Sequence, residues 1–239
     1  VTGKNTLKVN NVLVGTVWIC SGQSNMEMGI GVSDHAAAEL SKAKYPRMRL
    51  FKVKNVSTLQ PQADVKGKWV ECSPETLLQQ DGWGGFSAVA YFFGRDIHLA
   101  TGLPVGLIMT CWGGTPAQSW ASLASLQAEP ELKGYVDQYE SLVKNLPEVK
   151  AKYENDRADF QARCKTWEQE VNKPYQAALK VWEAESARAK TEGKPAPARP
   201  VLASPAPKNI GAEPDRNPWT PTSLYNGMIC PLIQYAIEG

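Results

Sequence analysis

Histidine occurs only twice in the 239 residues, and the five cysteines, Cys20, Cys72, Cys111, Cys164 and Cys230, are widely spread with no C-x-x-C pair. That inventory argues against a zinc site and predicts mostly buried thiols, with one disulfide left open. Charge of one sign is also missing. Lys and Arg number 26 against 24 Asp and Glu, a formal net charge of +2, far from the basic excess of a nucleic-acid or anionic-membrane surface. No window approaches the roughly 18 to 20 uninterrupted apolar residues of a membrane span. The opening Val1-Thr2-Gly3-Lys4-Asn5 lacks the charged and apolar regions of a signal peptide, and its first residue is not methionine, so the chain reads as a piece of a longer product. What is present is a globular composition, 43% hydrophobic and 21% charged, with enough chain to bury a sizeable core.

The apolar runs organise the chain as α/β. Val12-Leu13-Val14 and Thr16-Val17-Trp18-Ile19-Cys20 read as a central parallel strand covered on both faces, broken at Ser21-Gly22. A second such strand runs from Pro104 to Trp112 and ends at Gly113-Gly114, while Arg49 to Val53 reads as a shorter, more exposed strand. Phe86 to Ala100 reads as a helix, with Ser87 as N-cap, Gly102 at the stop and Pro104 beyond. Strands alternating with helices imply βαβ units. From about Glu129, Phe160, Cys164, Trp167, Val171, Tyr175, Ala178 and Trp182 follow three-four spacing, predicting a helical hairpin that ends in the proline-rich 194–207 stretch. The predicted organisation is therefore 1–11, remnant of an upstream β region; 12–128, first part of the core; 129–218, a hairpin insertion with its connector; and 219–239, a return to the core.

Two loops carry the candidate chemistry. Gly22-Gln23-Ser24-Asn25-Met26 lies at the carboxyl end of the first buried strand, the edge where open α/β sheets bind ligands. A serine on a tight turn there presents its hydroxyl beside backbone N–H groups that can hold an oxyanion. The same residues also fit a plain strand-to-helix turn with an N-cap, and Met26 excludes the G-x-S-x-G elbow. Gly113-Gly114-Thr115-Pro116-Ala117-Gln118-Ser119-Trp120 follows the other buried strand at the same edge, where paired glycines let an amide approach a bound oxygen; alone, it is a glycine turn. A serine nucleophile needs a base, usually histidine. His98 falls mid-helix and His35, preceded by Asp34, only eleven positions after Ser24, so neither is well placed.

At these residues the sequence resembles the sialate O-acetylesterase family of SGNH-type hydrolases. The resemblance rests on Val14 to Glu27, on Phe86 to Phe93 with Gly102 to Ile108, on Trp112-Gly113-Gly114-Thr115 with Ser119-Trp120, and on Leu224 to Ile229 with Pro231-Leu232. It implies a three-layer, flavodoxin-like sandwich with a parallel sheet. It also implies Ser24 as acyl-accepting nucleophile, with N–H groups of Ser24 and of Gly113 or Gly114 as the oxyanion hole. Gln23, Asn25, Thr115 and Gln118 are the expected substrate contacts, and no metal or organic cofactor is implied. The family's Gln-Gly-Glu-Ser-Asn and Asp-x-x-His segments would lie beyond Gly239, so the base histidine and its aspartate are expected outside this chain. The remaining part of the protein, in the same or a second chain, is then the expected partner, and the hairpin the expected route to any oligomer. The implied activity is removal of O-acetyl groups from a sugar, in a secreted, periplasmic or lysosomal setting. An acetylxylan esterase-like activity and an inactive carbohydrate-binding or scaffold protein remain the alternatives.

Overall fold

In a computed structural model of the chain, residues 6, 8–80 and 82–239 are described, so the predicted remnant β region 1–11 lies for its greater part outside the described residues. The chain divides into two compact units, 1–143 with 215–239, and 144–214.

Among the described residues the first unit is built on four strands, β1 (Thr16–Gly22), β2 (Tyr45–Lys52), β3 (Trp69–Cys72) and β4 (Val105–Cys111), in the order β1-β4-β2-β3. β4 pairs in parallel with β1, from Thr16↔Val105 to Gly22↔Cys111, and in parallel with β2, while β3 is antiparallel to β2. All seven residues of β4 are buried, as a run apolar on both faces requires. Side chains alternate across the sheet. Val105, Leu107, Met109 and Cys111 join Met48, Leu50, Phe86 and Tyr91 on one face, and Ile108 joins Val53, Leu224, Met228 and Leu232 on the other.

Two expectations about the strands need correction. β1 ends the strand order, with only Cys20 fully buried, and Val12 and Val14 lie outside it, 66% and 91% exposed. β2, expected to be the exposed strand, is interior, with Met48 and Leu50 wholly buried. Its charges misled: Arg49 is absorbed locally, with Nη1 2.7 Å from Glu71 Oε1 and Nη2 donating to Asn11 Oδ1 at 2.8 Å.

Short helices α1 (Ser24–Glu27), α2 (Ala36–Leu40) and α3 (Pro74–Leu78) precede α4 (Ala88–Thr101), followed by α5 (Leu123–Ala128) and α6 (Lys133–Lys144). α4 has the expected ends: Ser87 Oγ accepts from the Ala90 N–H, and Gly102 closes it in the left-handed conformation at φ 68°. Gly94 lets α4 settle on β4, since a Cβ there would stand 2.6 Å from Leu107 Cδ1. All five cysteines are free, and burial pushes the thiols of Cys20 and Cys72 up to about 11 and about 12.

The second unit departs from a hairpin. α7 (Leu146–Trp167), a wide turn over Glu168–Asn172 and α8 (Lys173–Thr191) form one continuous helix, about 70 Å at 1.5 Å per residue. Its stripe is real: Phe160, Cys164, Trp167, Val171, Tyr175 and Trp182 are half-buried, although Ala178 is exposed. The stripe is covered by the returning proline-rich segment rather than by a second helix. Trp182 Nε1 donates to Pro197 O at 2.8 Å, Trp167 Nε1 to Ser204 O at 3.0 Å, and Lys150 pairs with Glu213 at 3.0 Å. Residues around 192–213 thus run back along the helix as an extended strap.

Candidate active site

β1 and β4 run in parallel and end level, Gly22 opposite Cys111, so the loops that follow them emerge together at the carboxyl edge of the sheet. The Trp112 N–H donates to Gly22 O at 3.2 Å and ties the two loops at their roots. One loop enters α1 with Ser24 at its first position, and the other carries Gly113 and Gly114.

Three donors converge there on one atom. Gln23 Oε1 accepts from the Ser24 N–H at 3.0 Å, from Ser24 Oγ at 2.8 Å and from the Gly114 N–H at 3.2 Å. A carbonyl oxygen therefore sits beside the Ser24 hydroxyl, in a cradle of two backbone amides. The Gly113 N–H is turned elsewhere, to Glu27 Oε2 at 2.8 Å, so of the two glycines only Gly114 directs its amide to the cradle. A Cβ on Gly113 would lie 2.5 Å from Glu27 Oε2 and 3.3 Å from Ser24 Oγ, so a side chain there would push the Glu27 carboxylate off the Gly113 N–H. Gly114 has the room but holds φ at +72°, a conformation that disfavours other residues. Burial, with the charge of Glu27 second, pushes the Cys111 thiol up to about 12 and keeps it a neutral floor to the site.

The other expected contacts are distributed unevenly. Thr115 braces its own loop, its hydroxyl donating to Trp112 O at 2.6 Å and accepting from Trp120 Nε1 at 2.9 Å. Gln118 is half-buried and its carbonyl receives the Thr222 N–H at 2.9 Å, while Asn25 is exposed on α1. Neither histidine hydrogen-bonds Ser24 among the described residues. His98 Nδ1 lies 2.7 Å from Leu103 O, just before β4 begins, about 20 Å from Ser24 along a seven-residue strand. The His35 ring is bound to Asp34 at 2.8 Å, both side chains more than four-fifths exposed.

Two residues of the site were not anticipated as functional, Glu27 and Trp219. Trp219 is 56% exposed, and its Nε1 donates to Gly114 O at 2.6 Å, so an indole adjoins the residue whose N–H faces the cradle, bound through the peptide unit that follows it. The turn that carries it is closely held. Thr220, Thr222 and Ser223 are buried, Ser223 Oγ donates to Thr220 O at 2.8 Å, and Thr222 is forced to φ 64°. The spacing of Trp219 from Gly114 gives no local signal.

Comparison with known proteins follows the same residues. The profile of the family described as carbohydrate esterase, sialic acid-specific acetylesterase, matches residues 14–182. The sialate O-acetylesterase of Rattus norvegicus is 40% identical over 127 residues, 52% of this chain and 23% of the relative. That of Homo sapiens is 40% identical over 130 residues, 52% of this chain and 24% of the relative. The chain thus spans about a quarter of the length of these relatives. Among solved structures, a carbohydrate acetylesterase from Xanthomonas citri superimposes with a TM-score of 0.53 at 22% identity, over 94% of this chain and 31% of that one, a likeness of fold.

Proposed function

Because this chain belongs to the sialic acid-specific acetylesterase family of carbohydrate esterases, we propose that it carries the nucleophile half of a serine esterase that removes O-acetyl groups from a sugar. The observation that carries the reading is one carbonyl oxygen held by the Ser24 and Gly114 N–H groups with the Ser24 hydroxyl beside it, which places oxyanion donors and a nucleophile together as acyl transfer needs.

With an acetyl ester bound in place of that oxygen, Ser24 Oγ attacks the acetyl carbon while a general base takes the hydroxyl proton. The resulting oxyanion is held by the amides of Ser24 and Gly114. Collapse expels the sugar oxygen, which recovers the proton from the same base, and leaves acetyl-Ser24. Water, deprotonated by the base, then attacks the acyl carbon; acetate leaves and Ser24 regains its proton. On this reading the base lies outside residues 1–239, because His98 faces the opposite edge of the sheet and the Asp34–His35 pair, more than four-fifths exposed, makes no hydrogen bond to Ser24 among the described residues. The sugar rests against Trp219, whose exposed face offers an apolar surface to the C–H face of a pyranose ring. Among the described residues no helix is long and apolar enough to cross a membrane. The secreted, periplasmic or lysosomal setting is proposed from the family alone.

The test is Ser24→Ala in the intact protein. Acetate release from an O-acetylated sialic acid should fall at least about a hundredfold with thermal stability unchanged, since one exposed-edge hydroxyl is removed and no core volume is lost. Turnover that persists would mean that Ser24 is not the nucleophile.

A further inference from the structure

The atom that completes the site belongs to the protein itself. Two backbone N–H groups, those of Ser24 and Gly114, point at the end of the Gln23 side chain at 3.0 Å and 3.2 Å, and only an acceptor satisfies both. The group at that position is therefore the amide oxygen, with the Ser24 hydroxyl donating to it at 2.8 Å as well. An acetyl ester presents a planar, neutral carbonyl, and so does a glutamine amide. Both amides that the acetyl oxygen would require, and the hydroxyl that would attack its carbon, are engaged.

The geometry points to Gln23 as an internal competitor: its side-chain carbonyl fills the acyl-oxygen cradle in the free protein and must swing out before an acyl group can enter. The inference rests on the esterase reading of the cradle. It gives Gln23 a part distinct from holding the sugar, since the side chain opposes acyl binding in the ground state and is absent from the cradle during the chemistry. Gln23 is exposed and follows the last residue of β1, so the side chain has solvent to swing into. Its departure leaves the Ser24 hydroxyl and both amides unpaired and facing the substrate, so an ester that cannot reach them does not open the site.

Sodium acetate is a suitable probe, since it presents carboxylate oxygens to the same donors and needs no catalytic base. In the intact protein, Gln23→Ala is expected to bind acetate about tenfold more tightly than wild type, the three neutral hydrogen bonds to Gln23 Oε1 no longer having to be broken. The ligand-free variant should show shifted amide resonances for Ser24 and Gly114 and faster hydrogen exchange there. Gln23→Glu, which keeps the acceptor and adds charge, should bind acetate about tenfold more weakly than wild type. Because the two variants move in opposite directions, a folding defect cannot imitate the pattern. Equal acetate affinity in all three proteins, or unchanged Ser24 and Gly114 amides in Gln23→Ala, would overturn the inference. Failure of a fluorophosphonate to label Ser24 in wild type and Gln23→Ala alike would instead count against the esterase reading, while the acetate series would still decide the role of Gln23.

Discussion

Glu27 gives one carboxylate oxygen to the Gly113 N–H at 2.8 Å, across 86 residues of sequence, and so fixes the Gly113-Gly114 loop to the helix that bears Ser24. Charge-assisted bonds of this kind contribute about 1.5 to 3 kcal/mol. Glu27→Ala should accordingly lower kcat/KM on p-nitrophenyl acetate by about 10- to 100-fold. Glu27→Gln, which retains an acceptor, should lose less than about tenfold; equal losses would make the charge itself, rather than the bond, the important property. This residue also marks the limit of what the sequence disclosed. The loops that carry Ser24 and the glycine pair were legible because each follows an apolar run, and two parallel strands deliver those loops to one edge. Glu27 and Trp219 were not, because their contacts with Gly113 and Gly114 span 86 and 105 positions and follow no periodicity.

At the scale of elements, α2 is held to α4 through one carboxylate. Glu39 Oε1 accepts from Tyr91 Oη at 2.8 Å and from Arg95 Nη1 at 2.6 Å. Burial pushes the Glu39 carboxyl up, but the bonds from Arg95 and Tyr91 outweigh it and hold it below the ordinary carboxylate range. Burial and then Glu39 push the Tyr91 hydroxyl well above the usual phenol range, so it remains a donor. A carboxyl lowered by folding stabilises fully above its unfolded value, about 4.3, and loses that contribution as pH falls through the lower folded value. The difference in Tm between wild type and Glu39→Gln should be largest above about pH 5 and shrink below about pH 4. A gap constant from pH 7 to pH 3 would remove the ion pair from the explanation. Element boundaries were readable where the chemistry is local, as at the Ser87 and Gly102 ends of α4. The interior place of β2 was hidden because Arg49 and Lys52 look like solvent-facing residues, and the partner that absorbs Arg49 lies in another strand. Likewise the stripe from Phe160 to Trp182 announced that one helical face is covered, and periodicity does not tell a second helix from an extended strap.

For the whole molecule, the division into 1–143 with 215–239 and 144–214 separates the chemistry from the long helix. Lys150 and Glu213, 3.0 Å apart, bring the two ends of the second unit together, so a short linker can replace it. Substituting a Gly-Ser linker for residues 144–214 in the intact protein should leave the cradle formed and fluorophosphonate labelling of Ser24 within about twofold of wild type, because both core clusters are drawn from the first unit. Loss of soluble protein would show the second unit to be needed for folding. The strand order has a consequence in time. β4 lies between β1 and β2, and the Thr16↔Val105 pairing joins residues roughly 90 positions apart, which at 5 to 20 residues per second leaves β1 unpartnered for several seconds of synthesis. The β2–β3 pair can close earlier, but the cradle cannot exist until Gly114 has emerged and β4 has docked. The strand that presents Ser24 is therefore made before the other three and secured late, and in that interval its apolar face is open to chaperones.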